Sequence, residues 1–212
     1  MSTITILFGI LGALLIGAIS PGPSFVLVSR IAITASRLDG LAAALGMGLG
    51  GALFGTLALA GLSALLLQVE WLYMTLKLMG GAYLVYLGIR IWRGARAPLS
   101  IDTAATFEKK SALRYFAFAF VTQISNPKTA VVYGSIFAAL LPASPPHWLL
   151  LALPPMIFFV ESSWYGTVAL VFSANKPRAV YLHSKTWIDR IAGAVMSALG
   201  ARLISEAFIS RS

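Results

Sequence analysis

The chain has 212 residues, 58% of them hydrophobic and only 11% charged, with a mean hydropathy of +0.86. A soluble domain would carry about a quarter charged residues, so the composition excludes an ordinary water-soluble protein and predicts a polytopic membrane protein. The absence of cysteine excludes disulfides and thiolate metal sites, and the net charge of +9 is explained below without a nucleic-acid partner.

Six apolar stretches follow one another, roughly Ile4–Ile33, Leu41–Leu67, Leu72–Trp92, Leu113–Leu141, Trp148–Phe172 and Ile188–Phe208. Each reaches the ~20 residues that cross a ~30 Å hydrocarbon core. The expectation is one all-α transmembrane domain over residues 1–212 with short loops. The first stretch is read as a retained span, not a signal peptide. Met1-Ser2-Thr3 carries no positive side chain, and the apolar run exceeds a normal signal core.

The first span is interrupted by Ser20-Pro21-Gly22-Pro23. A proline removes one N–H donor and frees the carbonyl four residues earlier, here those of Gly17 and Ile19. In hydrocarbon such groups survive only where they line a cavity or bind something. The second span carries Gly46, Gly48, Gly50, Gly51 and Gly55. A GxGxxG match within this run is rejected as a dinucleotide site, because no strand precedes it and no ribose-binding acid follows. The GxxxG spacings instead suit close helix packing, within one subunit or between the subunits of a homo-oligomer. Asp39 before this span reads as a helix cap or a partner of Arg37.

In the third span, Gly81-Ala82, Leu87-Gly88 and Arg90 recur in the sixth as Gly193-Ala194, Leu199-Gly200 and Arg202, at a constant offset of 112 residues. Lys77 snorkels to the outer interface. The polar stretch Gly94–Lys110 then separates two groups of three spans, a first repeat over about 1–94 and a second over about 113–212, joined by a cytoplasmic loop of about 95–112.

The fourth span breaks at Asn126-Pro127-Lys128, which frees the carbonyl of Gln123. The two breaks occupy matching places in the two halves. With three spans per half the copies must be inverted, the layout in which paired broken helices mark a transporter's binding site. Freed carbonyls suit an ammonium group, and the half-helix N-termini beyond each proline suit a carboxylate. An amino-acid zwitterion fits both. The predicted substrate-binding residues are therefore Pro21, Gly22, Pro23, Ser24, Asn126, Pro127 and Lys128.

Lys128 and Glu161 of the fifth span lie mid-membrane, where ionisable groups cost at least ~2.5–3.5 kcal/mol and are functional by default. Either they form a structural ion pair, or Glu161 carries protons in exchange for substrate. Glu161 is the expected coupling acid. Trp71, Trp92, Trp148 and Trp187 mark span ends as an interfacial belt.

Charge orients the chain. Arg30, Arg37, Arg90, Arg93, Arg96, Lys109, Lys110, Arg114, Lys176, Arg178, Lys185 and Arg190 all border the odd-numbered loops, while Gln68–Trp71 and Pro142–His147 contain no Lys or Arg. The positive-inside rule makes the odd loops cytoplasmic and places both termini outside. His147 and His183 fall on opposite faces, so no metal site is expected and no cofactor is called for. There is no GxSxG, HExxH or GxxxxGK[ST] sequence and one deep carboxylate, so an enzyme is not expected.

Taken in order, these motifs resemble the LysE/RhtB family of small bacterial amino-acid exporters over essentially the whole chain. The residues that carry the resemblance begin with Ser20-Pro21-Gly22-Pro23, then Gly40, Leu45-Gly46 and Gly50. They continue through Lys77, Gly80-Gly81-Ala82-Tyr83-Leu84 and Leu87-Gly88, then Asn126-Pro127-Lys128, Glu161 with Trp164, and Gly193 with Leu199-Gly200. Many members have Asp where this chain has Glu161, and the basic segment before the second span is here Arg37-Leu38-Asp39. The resemblance implies proton-driven efflux of neutral or basic amino acids, or related metabolites, across the bacterial inner membrane. The expected protein is thus a secondary active exporter with alternating access around a midplane site. The alternative is a channel or carrier for cations or other small metabolites on the same design.

Overall fold

The computed structural model describes residues 2–66, 70–99, 101, 111–142 and 144–209. Lys109, Lys110 and residues 67–69 lie outside the described residues, as do the side chains of Trp71 and Lys77. The described residues form eight helices and no strand. These are α1 (Thr3–Ile19), α2 (Pro23–Thr34), α3 (Arg37–Leu66), α4 (Glu70–Gly94), α5 (Ala112–Ile124), α6 (Pro127–Leu140), α7 (His147–Phe172) and α8 (Asn175–Ile209).

The prolines divide the first and fourth apolar stretches as their chemistry requires. Helix α1 starts at Ser2, whose hydroxyl accepts the Thr5 N–H at 3.2 Å, and ends where Ser20 turns extended. Helix α2 restarts with Pro23 in its first turn, and the pair is bent by 61°. Helices α5 and α6 meet at Asn126, whose side chain accepts the Lys128 N–H at 3.0 Å and caps α6 in front of Pro127. Asp39 belongs to a cap as well: Ser36 Oγ accepts the Asp39 N–H and donates to its carboxylate.

By length and composition, Arg37–Gly61 of α3 and all of α7 can each cross a membrane, and bent α1–α2 makes a third such span. Their outward faces are apolar, with Phe8, Leu57, Leu151 and Phe159 exposed. Exposed apolar side chains on helices of this length and composition are consistent with a membrane protein. One difference from expectation concerns a helix that extends further than expected. The basic stretch expected as a loop after the fifth span is the first third of α8, which begins at Asn175. Tyr181 anchors it, with its ring centroid 5.4 Å from that of Phe25 and 5.2 Å from that of Phe172. Pro154 and Pro155 lie inside α7 without ending it.

Helix packing is set by glycine. Gly46 and Gly50 of α3 lie against Phe116 and Gln123 of α5, while Gly48, Gly51 and Gly55 lie against Ser162, Glu161 and Ile157 of α7. A side chain at Gly51 would enter the space of the Glu161 carboxylate. The α4–α8 seam is antiparallel and doubly matched: Gly81 lies against Gly200, and Gly88 against Gly193. A Cβ at any of these four would press on the carbonyl oxygen of its partner. Replacing Gly88 with Leu must therefore push the helices apart. The expected cost is about 1–3 kcal/mol, read as a lowered Tm of the detergent-purified protein. An unchanged Tm would show that the seam tolerates separation.

Two apolar clusters fill the interior. One joins α1, α3, α4, α6, α7 and α8 around Ile10, Leu84, Phe137 and Met196, and the other joins α2, α3, α5 and α7 around Phe25, Met47, Tyr115 and Phe172. Polar side chains are buried near the two helix breaks, among them Ser24, Gln123, Asn126 and Glu161.

Candidate functional site

The structure brings both proline breaks together. Lys128 reaches from the first turn of α6 to the C-terminal end of α1, where its Nζ donates to Gly17 O at 3.2 Å and Ser20 O at 3.1 Å. The carbonyl freed by Pro21 therefore has a cation, and that cation belongs to the protein. Trp164 Nε1 donates to Ala18 O at 3.1 Å, so a second side chain from the later half of the chain serves the same helix end. Helix α1 has no basic residue in its own last turn, and Lys128 supplies the positive charge that its C-terminal dipole favours. The carbonyl of Gln123 is used locally, accepting the Asn126 N–H at 3.2 Å.

Lys128 and Glu161 are not paired with each other. Glu161 is only 3% exposed, and each of its oxygens accepts one hydrogen bond: Oε1 from Tyr133 OH at 2.6 Å and Oε2 from Gln123 Nε2 at 2.8 Å. The chain of bonds continues outward. Gln123 Oε1 accepts from Ser24 Oγ at 2.6 Å, and Ser24 Oγ accepts from Asn126 Nδ2 at 3.1 Å. Glu161 on α7 is thereby wired to the first turn of α2 and to the cap of α6, the two places where the helices restart.

Two cavities meet here. The inner one, about 30 Å³, is lined by Ser24, Gln123, Asn126, Lys128, Tyr133 and Glu161, among others. It is large enough for water and polar enough to hold it. The outer one, about 460 Å³, is lined by Pro21, Gly22, Pro23, Asn126, Pro127 and Lys128, with Arg90, Lys185 and Asp189 also on its walls. That volume suits a small metabolite. Ser20, Gly22, Asn126 and Lys128 border both. The seven residues expected around the breaks thus lie on these two cavities, with Ser24 on the inner one and Glu161 beside it.

The sequence did not assign the side chains of Gln123, Tyr133, Arg90 and Asp189 to the site. Tyr133 was accessible from the sequence, because Asn126, Thr129 and Tyr133 fall at helical spacing on one face of α6. Gln123 was considered only for its carbonyl, whereas its side chain makes the connection.

Charged and polar groups gathered at two broken helices inside an apolar bundle are the arrangement found at the binding sites of membrane transporters. The LysE type translocator family matches residues 15–207, and the chain belongs to that family, as its motifs suggest. Among its relatives, a threonine efflux protein of Salmonella typhi is 31% identical over 196 residues, covering 90% of this chain and 93% of the relative. A threonine efflux protein of Escherichia coli K12 is 29% identical over 194 residues, again with 90% and 93% covered. An uncharacterised membrane protein of Haemophilus influenzae is 28% identical over 192 residues, with 90% and 91% covered. No solved structure matches the chain.

Proposed function

We propose that this protein is a secondary active exporter of amino acids, or of close metabolites, from the bacterial cytoplasm across the inner membrane. The observation that carries the reading is the meeting of both helix breaks on one cavity of about 460 Å³ bordered by Lys128. The names of the threonine efflux relatives support an amino acid as cargo. In this reading residues 1–212 form one domain of six spans, in which α1–α2 and α5–α6 each make one broken span. The halves form inverted repeats. The reciprocal glycine contacts Gly81–Gly200 and Gly88–Gly193 support that symmetry, because the 112-residue offset carries one contact onto the other. The basic residues bordering the odd loops support a cytoplasmic position for those loops and an outside position for both termini.

Substrate sits in the outer cavity, with its carboxylate toward the N-termini of α2 and α6. Lys128 fastens the second half to the end of α1, and rocking of one half against the other alternates access. Glu161 couples transport to protons. As a carboxylate it accepts from both Tyr133 and Gln123; once protonated it has a hydrogen to donate, so one of those bonds must reverse. Reversal at Gln123 turns its amide and changes what Ser24 receives, which carries the protonation state of α7 to the start of α2.

The experiment is transport in vesicles reconstituted with the purified protein, loaded with the proteinogenic amino acids and subjected to an imposed pH gradient. Saturable, gradient-dependent flux with counterflow is expected for at least one amino acid. Absence of flux across the whole panel defeats the reading, and non-saturating flux without counterflow replaces the carrier with a channel.

A further inference from the structure

An exported amino acid brings an ammonium group, and the carbonyls of Gly17 and Ser20 that would suit it are already held by Lys128. The outer cavity offers one other group of the right charge. Among the described residues on its walls, Arg90, Lys128 and Lys185 are cationic and Asp189 is the one carboxylate. Asp189 is 3% exposed. Its Oδ2 accepts from Lys185 Nζ at 2.7 Å, and that ammonium also donates to Ala95 O at 3.3 Å. Its Oδ1 is buried and has no partner.

A buried carboxylate oxygen left without a donor costs free energy that a well-placed ligand recovers. Lys185 holds the carboxylate in place through the other oxygen, the kind of support that preorganises a binding group. The two ends of a zwitterion then find separate acceptors. The carboxylate lies toward the N-termini of α2 and α6, in a cavity whose cations outnumber its anions, and the ammonium lies toward α8.

Resting on the exporter reading, we propose that Asp189 Oδ1 receives the α-ammonium group of the substrate and so selects amino acids over carboxylic acids that lack it. Asp189 is then a specificity residue, and Lys185 positions it.

The test is counterflow in vesicles carrying the full-length protein, comparing each proteinogenic amino acid with the 2-hydroxy acid in which hydroxyl replaces the α-amine. Wild-type protein is expected to discriminate strongly, since a site built to bind a polar group rejects the analogue that lacks it. Asp189→Asn keeps the shape and removes the charge. It should raise the KM for the amino acid about tenfold or more with little change in maximal rate, and bring the amino-to-hydroxy preference close to unity. Lys185→Gln loosens the carboxylate but keeps its charge, so the KM should rise while the preference falls less than in Asp189→Asn.

Equal losses of preference in the two variants would assign the pair a structural role and overturn the proposal. So would an Asp189→Asn protein that still discriminates. A wild type that carries 2-hydroxy acids as well as amino acids overturns it even where the Asp189 variant fails to assemble, and leaves the exporter reading standing. Absence of flux for the entire panel removes both.

Discussion

Replacing Glu161 with Gln is expected to uncouple transport from the proton gradient while leaving exchange of substrate intact. The carboxylate now accepts from both Tyr133 and Gln123. A glutamine can present an oxygen to Tyr133 only by turning its amide N–H groups toward Gln123, whose own amide must then flip to accept. That is the arrangement of bonds a protonated Glu161 would impose, so the variant is held in one of the two states that coupling requires. In vesicles, a carrier that exchanges one proton per substrate sustains about a tenfold substrate gradient per pH unit. The Glu161→Gln protein should sustain almost none, while counterflow of labelled against unlabelled substrate continues at a comparable rate. If accumulation still follows the pH gradient in the variant, Glu161 does not carry the coupled proton. If counterflow is also lost, the network serves binding or folding before it serves coupling.

Replacing Lys128 with Met should cost both stability and transport. Met preserves most of the apolar stem and fits the same path, so packing loss is small. What disappears is the ammonium that donates to Gly17 O and Ser20 O at the end of α1. Each carbonyl left without a donor costs about 1–3 kcal/mol. At about 2–4 °C per kcal/mol for a chain of this size, the detergent-solubilised protein should unfold several degrees below wild type. Transport should fall further than stability, because the link between the two halves is lost with the charge. Lys128→Arg, which keeps the charge on a guanidinium of different shape, should recover more of the Tm than of the transport rate. A Lys128→Met protein with wild-type Tm would mean that water already satisfies these carbonyls.

Proline chemistry made both breaks readable in the sequence, down to the freed Gly17 carbonyl and the restart of a helix at each proline. Those features are local, set within one turn of the residue responsible. The occupant of the Gly17 carbonyl was not readable, since Lys128 lies 111 residues away and an external ammonium group fits the same oxygen equally well. For the same reason Lys128 and Glu161 could be imagined as a pair, although each has nearer partners. Asp189 sits where a basic loop was expected to give way to a span, and a lone acid among cations there reads as a neutralising charge. Only the three-dimensional arrangement shows one of its oxygens occupied and the other empty. The recurrence of Gly81 and Gly88 as Gly193 and Gly200 was legible in the sequence. Their pairing across α4 and α8 was not, because spacing along a helix does not say which neighbour it meets.

The end of α1 has a consequence for synthesis. Its carbonyls at Gly17, Ala18 and Ser20 are completed by Lys128 and Trp164, at sequence separations of up to 146 residues. While the ribosome is making α1 to α4, those oxygens lack the side-chain donors that α6 and α7 later bring. The first broken span therefore reaches its final form late, when α6 and then α7 arrive. A chain truncated before α6 is left with an unfinished polar helix end at Gly17 and Ser20.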